Sequence, residues 1–208
     1  MELQVVDRTG KDTGRKVELA AGVFGVEAND NAIYLDVKQY LANQRQGTHK
    51  SKELNEIKGS TRKIKKQKGT GTARAGSIKS GVFRGGARMF GPRPRDYSFK
   101  LNKKLKVVAK RSALSYKALE GAIILLEDSK FETANTKDFL QVTSDLGLTK
   151  TKTLFVLAED DKNFYLSSRN VKSSTVINVS DINTYVVLDA QKLVISEKAI
   201  SKLNELLG

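Results

Sequence analysis

The sequence predicts an α/β fold, a mostly parallel sheet flanked by helices, with one long basic loop extension inserted between two of those helices. Three observations predict it. After Gly121 the chain runs through continuous apolar stretches of strand length, GAIILLED, KTLFVLAE, SSTVINVS and TYVVLDA, separated by short helical patterns. Stretches apolar at every position are expected where both faces of a sheet are covered, and parallel neighbours need crossovers of this length. Charge is the second observation: residues 45–111 hold 21 Lys and Arg against Glu53, Glu56 and Asp96, about +18, while the remainder carries 16 against 20, about −4. The third is a lapse in hydrophobic periodicity that lasts about fifty residues between two amphipathic helical patterns. Together they predict a single α/β domain over residues 1–208, with residues 48–100 as an internal extended basic loop.

In chain order, Glu2 to Asp7 and Arg15 to Leu19 are β-prone runs around DRTGKDTG, whose Asp and Gly favour a hairpin turn. Asn29 or Asp30 caps a helix that places Ile33, Val37, Tyr40, Leu41 and Gln44 on one face, and Gly47 stops it. A second helix places Leu101, Leu105, Val108, Ser112, Tyr116 and Leu119 inward, with Lys103, Lys104, Lys106, Lys110 and Arg111 on its other side. The four apolar runs then read as strands. Between them fall a helix capped by Thr136, with Phe139, Val142 and Leu146 inward and its end at Gly147, and a shorter one around Phe164. After Leu193-Val194-Ile195, Ser196 caps a final helix that turns Ile200, Leu203 and Leu207 inward.

Composition excludes several functions. There is no Cys and one His, so disulfides, thiolate metal sites and a Cys–His nucleophile are excluded, and neither a catalytic residue, a metal nor a cofactor is called for. No apolar run nears the roughly 20 residues that span a bilayer, and the N-terminus lacks a signal pattern, so a soluble intracellular chain without membrane partners is expected.

The basic stretch carries the function. Its apolar residues follow neither a helical nor a strand period, and its glycines permit sharp turns and close approach to another surface. A long internal run of Lys and Arg interleaved with Gly and aromatic residues points to a phosphate-rich partner, hence a nucleic acid. The glycines do not form a nucleotide-cradling loop, because KGTGT has no G-x-x-x-x-G-K-[ST] and no buried strand before it. Glu159-Asp160-Asp161 follows an apolar strand, where α/β enzymes often keep ligands, but acids also suit the start of a helix. His49 has no acid or nucleophile near it in sequence and is solvated or in contact with the nucleic acid. Phe83, Phe90, Tyr97 and Phe99 either stack on unpaired bases or pack on one another at the base of the extension. GPRPRD (91–96) is a stiffened return path.

KGTGTARAGSIKS (68–80), FRGG (83–86), FGP (90–92), PRDYS (94–98) and KLNKK (100–104) together form a long and specific motif string. In these residues the sequence resembles the family of protein four of the large ribosomal subunit, in its bacterial form, and the resemblance runs from RQGT (45–48) to LVIS (193–196) and the last helix. It implies an α/β domain whose RNA-penetrating loop threads into 23S-type large-subunit ribosomal RNA, beside neighbouring large-subunit proteins. The chain would be cytoplasmic and ribosome-bound, supporting early assembly. The loop tip implied by the family falls on Arg62, Lys63, Ile64, Lys65, Lys66 and Gln67, lining the exit tunnel in contact with the nascent polypeptide. The RNA-binding set comprises Arg45, Lys50, Lys58, Arg62, Lys63, Lys65, Lys66, Lys68, Arg74, Lys79, Arg84, Arg88, Arg93, Arg95, Lys100, Lys103 and Lys104. Where relatives commonly have Lys-Pro-Trp-Arg this chain has Lys63-Ile64-Lys65-Lys66, and Thr72 stands where an Arg is common. The alternative is a free RNA chaperone or nucleic-acid-binding regulator. A nucleotide-using α/β enzyme with a basic substrate arm would need the phosphate loop that is missing.

Overall fold

The computed structural model describes residues 1–128 and 130–208 and divides into two compact units, Met1–Leu41 with Lys100–Gly208, and Ala42–Phe99. The first unit is built on a six-stranded sheet. Its strands are β1 (Glu2–Val6), β2 (Asp12–Glu18), β3 (Ile123–Leu126), β4 (Thr153–Leu157), β5 (Ser174–Asn178) and β6 (Lys192–Ser196), in the order β2-β1-β3-β6-β4-β5. Only β2 runs antiparallel, hairpinned to β1; every other pairing is parallel. The Asp7 carboxylate organises that hairpin's turn by accepting from the Thr9 amide at 2.7 Å, the Thr9 hydroxyl at 2.7 Å and the Lys11 amide at 3.1 Å.

Alternation along the central strands explains why they read as unbroken apolar runs. Ile123, Leu125, Leu154, Val156, Leu193 and Ile195 enter one core, with residues of helices α1 (Ala21–Phe24), α3 (Lys103–Leu119), α6 (Thr184–Asp189) and α7 (Glu197–Leu207). Leu126, Phe155 and Val194 enter a second core with Phe139 and Val142 of α4 (Thr136–Asp145) and Phe164 of α5 (Lys162–Ser168). Both faces are therefore dry. The second core is aromatic at its centre: Phe139, Phe155 and Phe164 meet edge to face with centroids 5.3–5.7 Å apart.

Four details differ from the sequence reading, each for a physical reason. TYVVLDA is the helix α6 and not a strand, because Asn183 accepts the Val186 amide at 2.9 Å and caps it, overriding a β-branched run. The strand beside β3 and β4 is instead Lys192–Ser196.

Helix α2 (Asp30–Asn43) ends before Gln44, and it buries Ala32, Asp36 and Gln39 while Leu41 is 44% exposed. The polar face goes inward because Thr184 Oγ1 donates to Asp36 Oδ2 at 2.6 Å in a buried pair, leaving Ile33, Val37 and Tyr40 half-buried. In α3 the buried face is Ala109, Ser112, Ala113, Leu114, Ser115, Lys117 and Ala118, whereas Val108 and Leu119 are 37% and 81% exposed. Small residues let neighbouring backbone approach α3 closely, and apolar bulk alone did not reveal that face. Leu101 precedes this helix. The cap of α4 is Asn135 and not Thr136, with its side chain accepting the Lys137 amide at 3.0 Å.

The serines of α3 have polar duties. Ser112 Oγ accepts the Asn29 amide at 3.0 Å and donates to the Val108 carbonyl at 2.8 Å; Ser115 Oγ accepts the Val26 amide at 3.1 Å. Ser112→Ala is expected to cost about 1 kcal/mol by orphaning the Asn29 amide. Ser112→Val should cost more, about 1–3 kcal/mol, because it adds bulk to a fully packed site. Urea unfolding of the two variants checks the order.

Candidate nucleic-acid interface

Residues 42–99 contain no regular helix or strand beyond the end of α2, yet their two limbs are tied rung by rung. Near the root, the Arg95 amide donates to the Gly47 carbonyl at 3.2 Å and the Ser51 amide to the Pro92 carbonyl at 3.1 Å. Further out, the Arg88 amide donates to the Lys52 carbonyl at 3.1 Å, Ser77 Oγ to the Ser60 carbonyl at 2.9 Å, and the Ile64 amide to the Gly76 carbonyl at 3.0 Å. The last rung is Lys65 Nζ to Thr72 Oγ1 at 2.7 Å. The segment is thus a hairpin-like arm. Its apex lies between Lys65 and Thr72, where Gly69 and Gly71 take φ of +80° and +64°. Of the residues that the family resemblance places at the tip, Lys66 and Gln67 are in this apex; Arg62, Lys63, Ile64 and Lys65 form the limb leading to it.

Gly47 does not end α2, which stops at Asn43, but fixes the arm's root. Its φ is +64°, and an added Cβ would overlap the Arg95 carbonyl oxygen and press on the Tyr97 ring. Around that ring, the guanidinium carbons of Arg45 and Arg95 lie 3.9 and 4.3 Å from the centroid, and the Tyr97 hydroxyl is 3.2 Å from His49 Nε2. Two cations are thereby held close together on one aromatic support.

The arm carries 15 Lys and Arg against three acids, about +12, and all three acids are used within it. Glu53 pairs with Arg93 at 2.5 Å, Glu56 pairs with Lys50, and Asp96 accepts the Ser98 amide at 2.8 Å and the Ser98 hydroxyl at 2.7 Å. The hydrogen bond from Lys50 holds the Glu56 carboxyl below its ordinary range, and the Ser98 amide and hydroxyl do the same for Asp96.

Lys50 and Arg93 are thereby neutralised in part. Lys58, Arg62, Lys66, Lys68, Arg74, Arg84 and Arg88 are exposed with no carboxylate partner among the described residues, and Lys79 is half-buried. Among the described residues, Lys63 and Lys65 donate to the neutral Gln67 and Thr72 and to no carboxylate. In the other unit, Lys100, Lys103 and Lys104 are exposed, and the last two occupy the first turn of α3. No acid lies in that turn, and Asn102 makes no side-chain cap. Lysines at the positive end of a helix are unfavourable until an anion arrives, so this end is arranged for one. Lys110 is different: burial lowers its pKa, opposed by Asp36 and assisted by Lys106.

Sequence reasoning omitted Lys52, which is exposed with no carboxylate in ion-pair contact among the described residues, while its neighbour Glu53 turns to Arg93. Tyr97 follows neither reading, since it packs on the root cations and beside His49, whereas Phe90 is 97% exposed with Met89 at 77% and Val82 at 89%. Only an unpaired base or another surface can cover such a ring. Among the described residues no group of His, Asp and Glu is arranged to hold a metal, and no helix is long and apolar enough to cross a membrane.

Comparison with known proteins gives the same direction. The Flavobacterium johnsoniae large ribosomal subunit protein uL4 is 60% identical over 205 residues, 99% of this chain and 98% of its own length. Those of Christiangramia forsetii and Amoebophilus asiaticus are 59% identical over 208 residues, all of both chains, and 61% identical over 205 residues, 99% of this chain and 98% of the relative. A model of the ribosomal protein L4/L1 family matches residues 17–206, which take in the basic arm and strands β3 to β6, and the chain belongs to that family.

Proposed function

We propose that this chain is a structural constituent of the large ribosomal subunit in the cytoplasm, that its arm is threaded into 23S-type ribosomal RNA, and that the apex helps to line the polypeptide exit tunnel. The role is structural and not catalytic, as befits the family. One observation carries the RNA reading: the arm's few acids are consumed in internal ties, leaving a narrow glycine-bearing ribbon with free cations along both limbs. Phosphates on several sides would neutralise it; a flat acidic protein surface would reach one side only. The exposed Phe90 adds a base-stacking group, and Arg45 and Arg95, supported by Tyr97, supply forked donors for phosphate oxygens. The tunnel role of Lys66, Gln67 and the limb before them, and any contact with a nascent polypeptide, rests on their place at the far end of the ribbon together with the family resemblance.

RNA affinity should therefore fall steeply with salt. Roughly ten phosphate contacts imply a log–log slope on the order of −7 to −9. Replacing Arg84, Arg88, Arg93 and Arg95 by Ala should flatten that slope by about three. The smaller loss expected of Arg93, already paired with Glu53, makes three the better figure than four. Filter binding across a salt series measures both.

Deleting residues 61–76 joins Ser60 to Ser77, whose hydroxyl already donates to the Ser60 carbonyl, so the shortened arm closes at modest entropic cost. Subunit occupancy should persist, with loss confined to the positive charge near the tunnel, seen as altered nascent-chain stalling. The four-arginine variant should reduce occupancy instead. A tip deletion that abolishes incorporation while the arginine variant assembles normally would reverse these assignments.

A further inference from the structure

The sheet has a second feature that the RNA reading does not use. Strand β3 leads to α4 on one face, while its neighbour β6 leads directly into α7 on the other. Between adjacent strands that depart to opposite faces a crevice opens at their carboxyl ends. Here it has a volume of about 60 Å³ and is reached by the ends of β3, β4 and β6. Leu126, Leu157 and Phe164 provide its apolar lining, and Glu127, Asp128, Glu159, Asp160 and Asp161 ring it.

Its lining includes a hydroxyl without a partner among the described residues. Ser196 stands at the N-cap of α7 and is 6% exposed, yet its side chain caps nothing and Oγ has no hydrogen-bond partner among the described residues. The expected capping role is taken by the Asp128 carboxylate, whose oxygens lie 3.3 and 3.4 Å from the Lys198 amide. Because residues alternate along β6, Ser196 faces the same side as Val194, the side of Phe164, and it lines the floor of the crevice.

The acids are unequally compensated. Glu127 is held by Arg15 at 2.6 Å, Glu159 is 3.7 Å from Lys130, and Asp161 receives the amides of Asn163, Phe164 and Phe131. Among the described residues, Asp160 meets only the neutral amide of Asn178, and Asp128 only the Lys198 amide. Lys130 and Lys198 are the crevice's two basic residues, and both are exposed at its rim. Net negative charge thus remains around a small apolar slot.

We propose that this crevice receives one lysine or arginine side chain from a basic peptide segment of a partner protein. Asp128 and Asp160 would take the charge, Ser196 Oγ would accept a hydrogen bond, and the apolar lining would take the methylene stem. The volume is far below the roughly 300 Å³ of a small-molecule site, which disfavours a nucleotide held within it. Carboxylates at the rim repel phosphate, which excludes RNA. Metal-ligand geometry is absent among the described residues. The inference is independent of the arm's RNA role, so either can fail alone.

The test uses the full-length chain, labelled with ¹⁵N, at low salt. It is titrated with acetyl-Gly-Lys-Gly-amide and acetyl-Gly-Arg-Gly-amide, and with acetyl-Gly-Gln-Gly-amide as the neutral control. Saturable shifts are expected at the amides of Glu127, Ala158, Asp160 and Lys198 for the cationic peptides alone. Asp160→Asn and Ser196→Ala should each weaken binding by about three- to tenfold. The proposal is overturned if the Gln peptide gives the same shifts, if the cationic peptides perturb only Glu53 and Glu56 of the arm, or if both variants bind as tightly as the parent. Displacement of the peptides by equimolar Mg²⁺ would also overturn it, by marking a site for a hydrated metal ion.

Discussion

Repulsion among like charges is the condition that residues 42–99 must satisfy. About twelve net positive charges lie on a ribbon whose limbs are joined by single hydrogen bonds, with Ala87 the lone buried apolar residue and no core to hold it. Exposed ion pairs such as Lys50–Glu56 and Arg93–Glu53 are each worth at most about 1 kcal/mol, which does not offset the entropy of ordering nearly sixty residues. What the chain does supply is geometry. Gly47 allows the limbs to meet at the root, Gly91 admits the Ser51 side chain, and Gly69 with Gly71 turns the apex. The missing free energy has to come from outside, and on the proposed reading a surrounding phosphate lattice would provide it through counterion release.

The globular unit obeys the opposite logic. Its stability is internal, from two dry layers on a sheet whose alternating residues feed both, and some of its acids, Asp7, Asp128 and Asp161 among them, sit at turns and helix starts where backbone amides hold them. Asp161 at α5 is such a case, so the acidic triplet is in part the helix start that its position in sequence suggests. Asp160 is the residue this explanation leaves over, and with Ser196 it marks the crevice as a place where the fold retains polarity it does not itself use.

How much was legible follows from which forces act locally. Strands such as IILL and TLFVL are visible because both faces of the sheet are covered and nearly every residue is apolar, whereas KLVIS, opened by a lysine and closed by a serine, does not read as one. Helix faces were harder. Asp36 is buried because Thr184, 148 positions later, donates to it, and no local pattern records such a partner. The α3 face is hidden for a related reason: alanine and serine pack closely without looking hydrophobic. TYVVLDA misleads because β-branched residues argue for a strand, whereas Asn183 and the need to carry the chain from β5 back to β6 decide for a helix. In the arm, charge and glycine were plain in sequence, but the pairing of limbs was not, so the apex could be located only to within a few residues. The cation support built by Tyr97, Arg45 and Arg95 brings Arg45 to a ring about fifty positions later and has no local signature.

The central claim is that the arm is ordered by RNA and not by its own contacts, and amide hydrogen exchange of the full chain measures this most directly. Without RNA, amides from Thr70 to Gly91 should exchange with little protection, and the few with backbone acceptors, such as those of Ala87 and Arg88, should be only modestly slower. Bound to large-subunit RNA, the same span should become strongly protected while the β3, β4 and β6 amides change little. Strong protection across Thr70 to Gly91 in the free chain would contradict the account.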